Sequence, residues 1–434
     1  MSNRYIEVRP QNNPSDGKIS YKNGNPQITF VVGEQNAMLL GKSIRISGKF
    51  FAFSDSAKSA PDAVQSINGR LGVYSIVDQV ILRSNRNKAT IEHIRDYNRM
   101  MSSYFSVTAG KQDGVSHLNT AGLVMPNFEV AREDTLDTTG EDFCVHLPTG
   151  LLNGTDGIPL ANDFGIGGLE VTIMLAPDSA VFYSNTGTTT NIVDCFYELS
   201  DLRLSCEVEV PPPDQLSQLM KLSGGTLEYN SISSQYATVN SGNGIVNFTL
   251  GLSKVSSVFT NIIPAKYLNN LAYDSMATLM PINTDNSQAG IKTQVNTRAG
   301  VRYPRDFVID GNLRTSSDTN VNDPEIIRNY VNSIAKWTNL NPETYLSSTT
   351  ANRNYTGAVT SYGKVADGGV VFGLGVTYDQ IGSGTADFSN VQWGLETDLD
   401  LTSDEPQALF IYAVNKNTLV FNKEGLQVLV WGFQ

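Results

Sequence analysis

Apolar and polar residues alternate two by two along much of the chain, the period of a strand with one buried face. The clearest run is Leu202, Leu204, Cys206, Val208 and Val210, interleaved with Arg203, Ser205, Glu207 and Glu209. It predicts a sandwich strand whose apolar set points inward and whose glutamates point outward. Cys206 then fills core space as a small apolar residue. Comparable strands are predicted from Ile28, Ile44, Leu169, Val246, Phe372 and Trp393. Leu409 to Trp431 reads as strands broken at Asn415–Asn417 and at Asn422–Gly425, where turn residues tolerate positive φ.

Two stretches have helical spacing instead. Thr90 to Phe105 sets Ile91, Ile94, Tyr97, Met101 and Phe105 on one stripe. Asp323 to Trp337 opens with an N-cap aspartate, Pro324 at N1 and Glu325 in the first turn, and carries Ile326, Ile327, Tyr330, Ile334 and Trp337. Both stripes are predicted to pack on a sheet.

A weak internal repeat organises these elements. Ile28 to Gly33 resembles Val246 to Gly251, Ile94 to Tyr97 resembles Ile327 to Tyr330, and Gly168 to Leu175 resembles Gly394 to Leu401. The three matches keep their order, and their offsets differ only by loop-sized amounts. Pro211-Pro212-Pro213 interrupts any ladder and stiffens a connector. The expected layout is an arm over 1–24, a first β-sandwich over 25–213 and a second over 214–434, each with a helix in a long inter-strand excursion.

Composition narrows the picture. Only 17% of the 434 residues are charged, against the usual ~25%, so turns and packed faces outnumber solvated helices. The net charge of −12 is the wrong sign for a protein whose task is gripping nucleic acid. Arg4, Arg9, Lys18 and Lys22 make the first 22 residues locally basic, which reads first as a solvated tail. Three cysteines with no CxxC pair argue for folding in a reducing compartment. MSNRYIEVRPQNN has no apolar secretory core, and no run approaches the ~18 apolar residues of a transmembrane helix.

No chemistry-bearing pattern stands out. His93, His117 and His146 form no HExxH or HxH pair, and Cys144-Val-His146 supplies two ligands where a zinc site needs more. There is no G-x-S-x-G elbow. Phe164-Gly-Ile-Gly-Gly168 reads as a turn into the strand at Leu169, because Glu170 stands where a dinucleotide loop needs glycine. Asp398, Asp400, Asp404 and Glu405 read as a solvated strand edge rather than a calcium loop. No catalytic, cofactor-binding or metal-binding residue is assigned, and an enzyme is not expected.

The chain resembles the double jelly-roll major capsid proteins of DNA viruses, within them those of polinton-like viruses and virophages. The resemblance rests on Pro148-Thr-Gly-Leu-Leu152, Ile158-Pro-Leu160, Gly167 to Leu175 and Tyr197 to Pro211 in the first half. Phe388 to Leu401 and Leu409 to Trp431 carry it in the second, notably Val414-Asn-Lys-Asn-Thr-Leu-Val-Phe421. It implies an all-β fold of two fused eight-stranded jelly rolls, each with a helical insertion, and homotrimeric pseudo-hexagonal capsomers tiling an icosahedral shell. It further implies localisation in the virion, contacts with neighbouring trimers, penton and other minor capsid proteins, and no sequence-specific binding of nucleic acid. The basic N-terminal segment would face DNA, an internal layer or a neighbouring capsomer. Ser54–Asn68, Gly110–Gly140, Ala272–Val321 and Asn339–Asp367 are the candidate outer loops.

Two other readings compete. A carbohydrate-binding or adhesive sandwich, such as a viral fibre or lectin-like module, needs exposed aromatics, whereas Trp337, Trp393 and Trp431 fall on patterned positions. A glycosidase needs two carboxylates about 5–10 Å apart in a cleft.

Overall fold

In a computed structural model the alternating segments form twenty-two strands among the described residues. It describes residues 2–24, 26–68, 71–108, 138–154, 157–162, 165–212, 214–215, 218, 225–239, 242–276, 290–296, 302–303, 309–310, 331–337, 375–379, 383–389, 392–399, 406–422 and 425–430. The first half holds β1 (Ser2–Val8), β2 (Gln27–Val32), β3 (Met38–Leu39), β4 (Arg45–Phe53), β5 (Gln65–Ile67) and β6 (Val77–Ser84). It continues with β7 (Thr90–Ile94), β8 (Glu141–His146), β9 (Ile158–Pro159), β10 (Leu169–Leu175), β11 (Phe182–Ser184) and β12 (Phe196–Val210). The second half holds β13 (Thr226–Val239), β14 (Gly242–Thr249), β15 (Val255–Pro264), β16 (Gly290–Asn296) and β17 (Arg302–Tyr303). Then come β18 (Ile309–Asp310), β19 (Gly375–Thr377), β20 (Gln392–Leu399), β21 (Gln407–Asn422) and β22 (Gly425–Val430).

The two halves have the same topology. In the first, one sheet runs β1-β12-β4-β8 and the other β2-β10-β6-β7. In the second, the sheets run β13-β21-β15-β19 and β14-β20-β16-β17. Counting the principal strands 1 to 8 along each half, both give the orders 1-8-3-6 and 2-7-4-5, the jelly-roll permutation. Every ladder among the described residues stays within residues 2–210 or within 226–430.

The internal repeat therefore falls on equivalent strands. Ile28–Gly33 and Val246–Gly251 carry β2 and β14; Gly168–Leu175 and Gly394–Leu401 carry β10 and β20. The registers differ: Phe30 opposes Val171, whereas Phe248 opposes Trp393, four residues short of the matched Thr397. Four is even, so the slip keeps every side chain on its own face. The third match involves residues 327–330, outside the described residues.

Several expectations need correction. Thr90–Ile94 is strand β7, and the helix α1 begins only at Tyr97 and ends at Thr108. Asp96, at φ 51°, turns the chain between them, and its carbonyl accepts the first helical bonds from Arg99 and Met100. β-Branched Thr90, Ile91 and Ile94 suit the ladder with β6 better than a helical turn. In the second half residues 331–337 are helical, between the fifth and sixth principal strands as α1 is in the first. Asn415–Asn417 does not break β21, which pairs with β13 through all three. The irregularity is carried instead by a bulge in β15 at Val255/Ser257, and Asn415 and Asn417 are buried, Asn415 donating to the Asn417 side-chain carbonyl at 2.6 Å.

The segment 1–24 is not a free arm: Ser2–Val8 pairs with β12 from Val210 to Leu204, and Ile19 bridges Leu199. Lys18 lies 3.6 Å from Glu198, and Lys22 donates to the Asp194 carbonyl beside the Phe196 ring. Of the candidate outer loops, Ser54–Asn68 contains β5, and Ala272–Val321 contains β16 to β18. The segments 110–137 and 339–367 lie outside the described residues.

β12 bears out its alternation. Leu202, Leu204, Cys206 and Val208 are buried, Val210 is half-buried at the strand's end, and Glu207 and Glu209 face outward. A bulge at Ser200–Arg203, with Asp201 at φ 52°, resets the faces, so Tyr197 and Leu199 are also interior. Gly168, at φ 84°, makes the turn into β10; a Cβ there would sit 2.8 Å from the Val32 carbonyl oxygen. Trp337 is fully buried, while Trp431 and the side chain of Trp393 are outside the described residues.

Candidate functional site: the junction between the two sandwiches

One apolar cluster runs from the first sandwich into the second. On β21 it takes Ala408, Phe410, Tyr412 and Val414, and on β15 it takes Phe259 and Ile263. Leu409, Ile411 and Ala413, on the opposite face of β21, are equally buried inside the second sandwich. The sheet β13-β21-β15-β19 is thus covered on both faces, and its outer cover is the first half. The sequence signals this: Ala408 to Val414 is an unbroken apolar run, as in strands buried on both sides.

Several polar groups at this contact are satisfied across it. Arg99 of α1, 5% exposed, lies 4.4 Å from the centre of the Phe410 ring and donates to the Ser275 carbonyl. Asn261 of β15 donates to the Arg99 carbonyl and accepts from the Ser103 hydroxyl. Tyr412 donates its hydroxyl to the Asp96 carbonyl at 2.8 Å. Tyr229 of β13 donates to the Ile91 carbonyl at 2.7 Å, and the Arg95 N–H donates to the Ser234 hydroxyl at 2.8 Å. Asn68 donates to Asp274 at 2.7 Å. Tyr104 of α1 packs on Trp337 with ring centres 5.3 Å apart.

Glu92 sits at the centre. Its Oε1 accepts from the Gly150 N–H at 3.1 Å and from the Ile232 N–H at 2.8 Å, and its Oε2 from the Leu151 N–H at 3.1 Å. Gly150 is required by this approach, since a Cβ would fall 2.1 Å from the Asn230 carbonyl oxygen. Burial pushes the Glu92 carboxyl up to about 7 against the pull of its hydrogen bonds. Asp96, between β7 and α1, is likewise raised by burial to about 6 although Arg99 opposes the rise. None of these residues stood in a chemistry-bearing sequence motif.

The corresponding sheet of the first half, β1-β12-β4-β8, presents a polar outer face. Arg45, Lys49, Asp142, Arg203, Glu207 and Cys144 occupy it, and Arg203 pairs with Glu7 at 3.1 Å. Cys144 is exposed rather than in the core, because β8 turns Phe143 and Val145 inward. His146 shares its face and is half-buried. Towards one end of this face, Lys18, Lys22 and Lys58 lie over Phe51, Phe196 and Phe53, and Lys58 pairs with the buried Glu198 at 2.7 Å.

The remaining candidates come together nowhere. Among the described residues no group of three or more His, Cys, Asp and Glu side chains is placed to hold a metal ion. His93 pairs with Gln79 at 2.9 Å; His117 and the acidic run from Asp400 to Glu405 lie outside the described residues. Among the described residues no helix is long and apolar enough to cross a membrane.

No protein-family model and no curated protein sequence matches the chain. Solved structures do. The Faustovirus major capsid protein is 9% identical, with 97% of this chain and 90% of that chain covered at a TM-score of 0.57. A chain of the PBCV-1 virus capsid is 12% identical over 98% and 96% of the two chains, at 0.54. A chain of the Sputnik virophage is 11% identical over 100% and 89%, at 0.50. These likenesses span both halves and establish the fold as a double jelly roll.

Proposed function

We propose that this chain is the major capsid protein of an icosahedral DNA virus of the virophage or polinton-like kind, and that three copies form a pseudo-hexagonal capsomer. The observation that carries this reading is the junction. Two sandwiches of identical strand order are locked by a continuous core, so one chain supplies two similar wedges in a fixed relation. Similarity to capsid proteins over nearly the whole of both chains supports the same role. The work of such a protein is geometric and needs no catalytic group. The units are a first roll to residue 213, taking β1 as its first strand, and a second roll from 214 to 434. Its partners are two further copies, neighbouring capsomers, and penton and minor capsid proteins, and its place is the virion shell.

Obligate interfaces bury more than about 2,000 Å² and resemble domain cores. The trimer is therefore expected to survive dilution to the micromolar range, read by native mass spectrometry or light scattering. Contacts between trimers are expected to be weaker, so that shells form reversibly. A stable monomer at micromolar concentration, with no shells under any salt or accessory-protein condition, overturns the reading in favour of an adhesive module.

A further inference from the structure

The junction holds a titratable group that its geometric role does not require. A carboxyl side chain, 3% exposed, receives three backbone N–H groups: two from the turn at Gly150 and Leu151 in its own sandwich, and one from Ile232 in the other. Its carboxyl thus bonds the backbone of both halves. We propose that Glu92 is a proton-operated clasp, joining β13 of the second sandwich to β7 and the 149–151 turn of the first, and that the junction tightens when this carboxyl takes up a proton.

The chemistry runs as follows. Ionised, the carboxylate has its three N–H donors and the Thr149 hydroxyl but no cation among the groups that shift it, and desolvation still outweighs the hydrogen bonds. Protonated, Oε1 still accepts from Gly150 and Ile232. Oε2 carries the proton and keeps a lone pair for Leu151, with the Thr149 hydroxyl within hydrogen-bonding reach. The facing groups stay silent over the relevant range. From α1 comes the Tyr97 phenol, which donates to the Pro148 carbonyl, and from β13 the Tyr229 phenol; burial raises both far above neutrality. β6 sets Leu82 opposite Glu92, and the 149–154 turn brings no titratable side chain.

The sign follows from linkage. The carboxyl is raised from 4.5 to about 7 in the closed junction, so the closed state binds the proton more tightly. Its advantage is full below about 4.5, declines as pH rises, and is gone above about 7. Between pH 6 and 8.5 the closed-to-open ratio should fall about tenfold.

The test is hydrogen exchange by mass spectrometry on the full chain, corrected for the intrinsic pH dependence of exchange. Protection of the β13 segment around Ile232 should fall about tenfold from pH 6 to 8.5, while that of β4, inside the first sandwich, stays level. In Glu92→Gln, which fixes a neutral side chain, the fall should vanish. Equal slopes in β13 and β4 of the wild-type chain overturn the clasp even if the variant does not fold, as does an unchanged slope in a folded variant. The readout does not depend on assembly, so a chain that never builds shells still decides it.

Discussion

The same sheet, built twice by the same strand order, meets two different environments. In the first sandwich the outer face of β1-β12-β4-β8 carries Arg45, Lys49, Arg203 and Glu207 and is open. In the second, the outer face of β13-β21-β15-β19 carries Phe259, Ile263, Phe410 and Tyr412 and lies under the first sandwich. Topology is therefore indifferent to what covers a face, and the side chains on the outward register decide whether a roll stands alone or docks. The inner faces are alike: Leu204 and Leu409 are both fully buried.

Substitutions placed on the two sheets can break this contrast. The largest effect is expected at Phe410→Ala, which removes the ring beneath Arg99 and opens a cavity at the junction. It should cost about 3–5 kcal/mol of unfolding free energy, read from the shift of the denaturant midpoint. Leu204→Ala tests the inner face of the first sheet and should cost about 2–5 kcal/mol. A much smaller loss would mean that this face is not the core. Asn261→Ala removes the bonds that Asn261 makes with the Ser103 hydroxyl and the Arg99 carbonyl across the junction and should cost about 1–3 kcal/mol. Lys49→Ala, on the corresponding outer face of β4, should stay within about 0.5 kcal/mol in the dispersed chain. A large loss there would show that the first face is also covered, and the contrast would fail.

How much of this was legible in the sequence varies with the physics. Alternation exposed β2 and β12, because a strand with one wet face must alternate; β10 alternates in sequence although Glu170 and Thr172 are buried. The repeat was legible where the equivalent strands β2 and β14, or β10 and β20, kept similar residues. The boundary between β7 and α1 was not, since Ile91, Ile94 and Tyr97 satisfy a helical stripe as well as a strand followed by a helix. Asn415 and Asn417 looked like a turn because nothing local shows that neighbouring side chains will satisfy them inside a sheet. The junction polar groups were hidden for the same reason: Glu92 meets Ile232, 140 residues away, and Arg99 meets Ser275, 176 residues away. Only the unbroken run from Ala408 to Val414 pointed to a second buried face.

The covered face also bears on the order of synthesis. β21 begins about 300 residues after α1 ends, which at ~5–20 residues per second is roughly 15–60 s on the ribosome. The first half, which shields β21, is therefore made in full and has that time to fold before the apolar strand leaves the exit tunnel. A chain with its halves exchanged, or the second half made alone, would present Phe410 and Tyr412 with nothing waiting to receive them. The fixed sequence of a covering half followed by a covered one gives the nascent chain a partner for its apolar strand as soon as that strand appears.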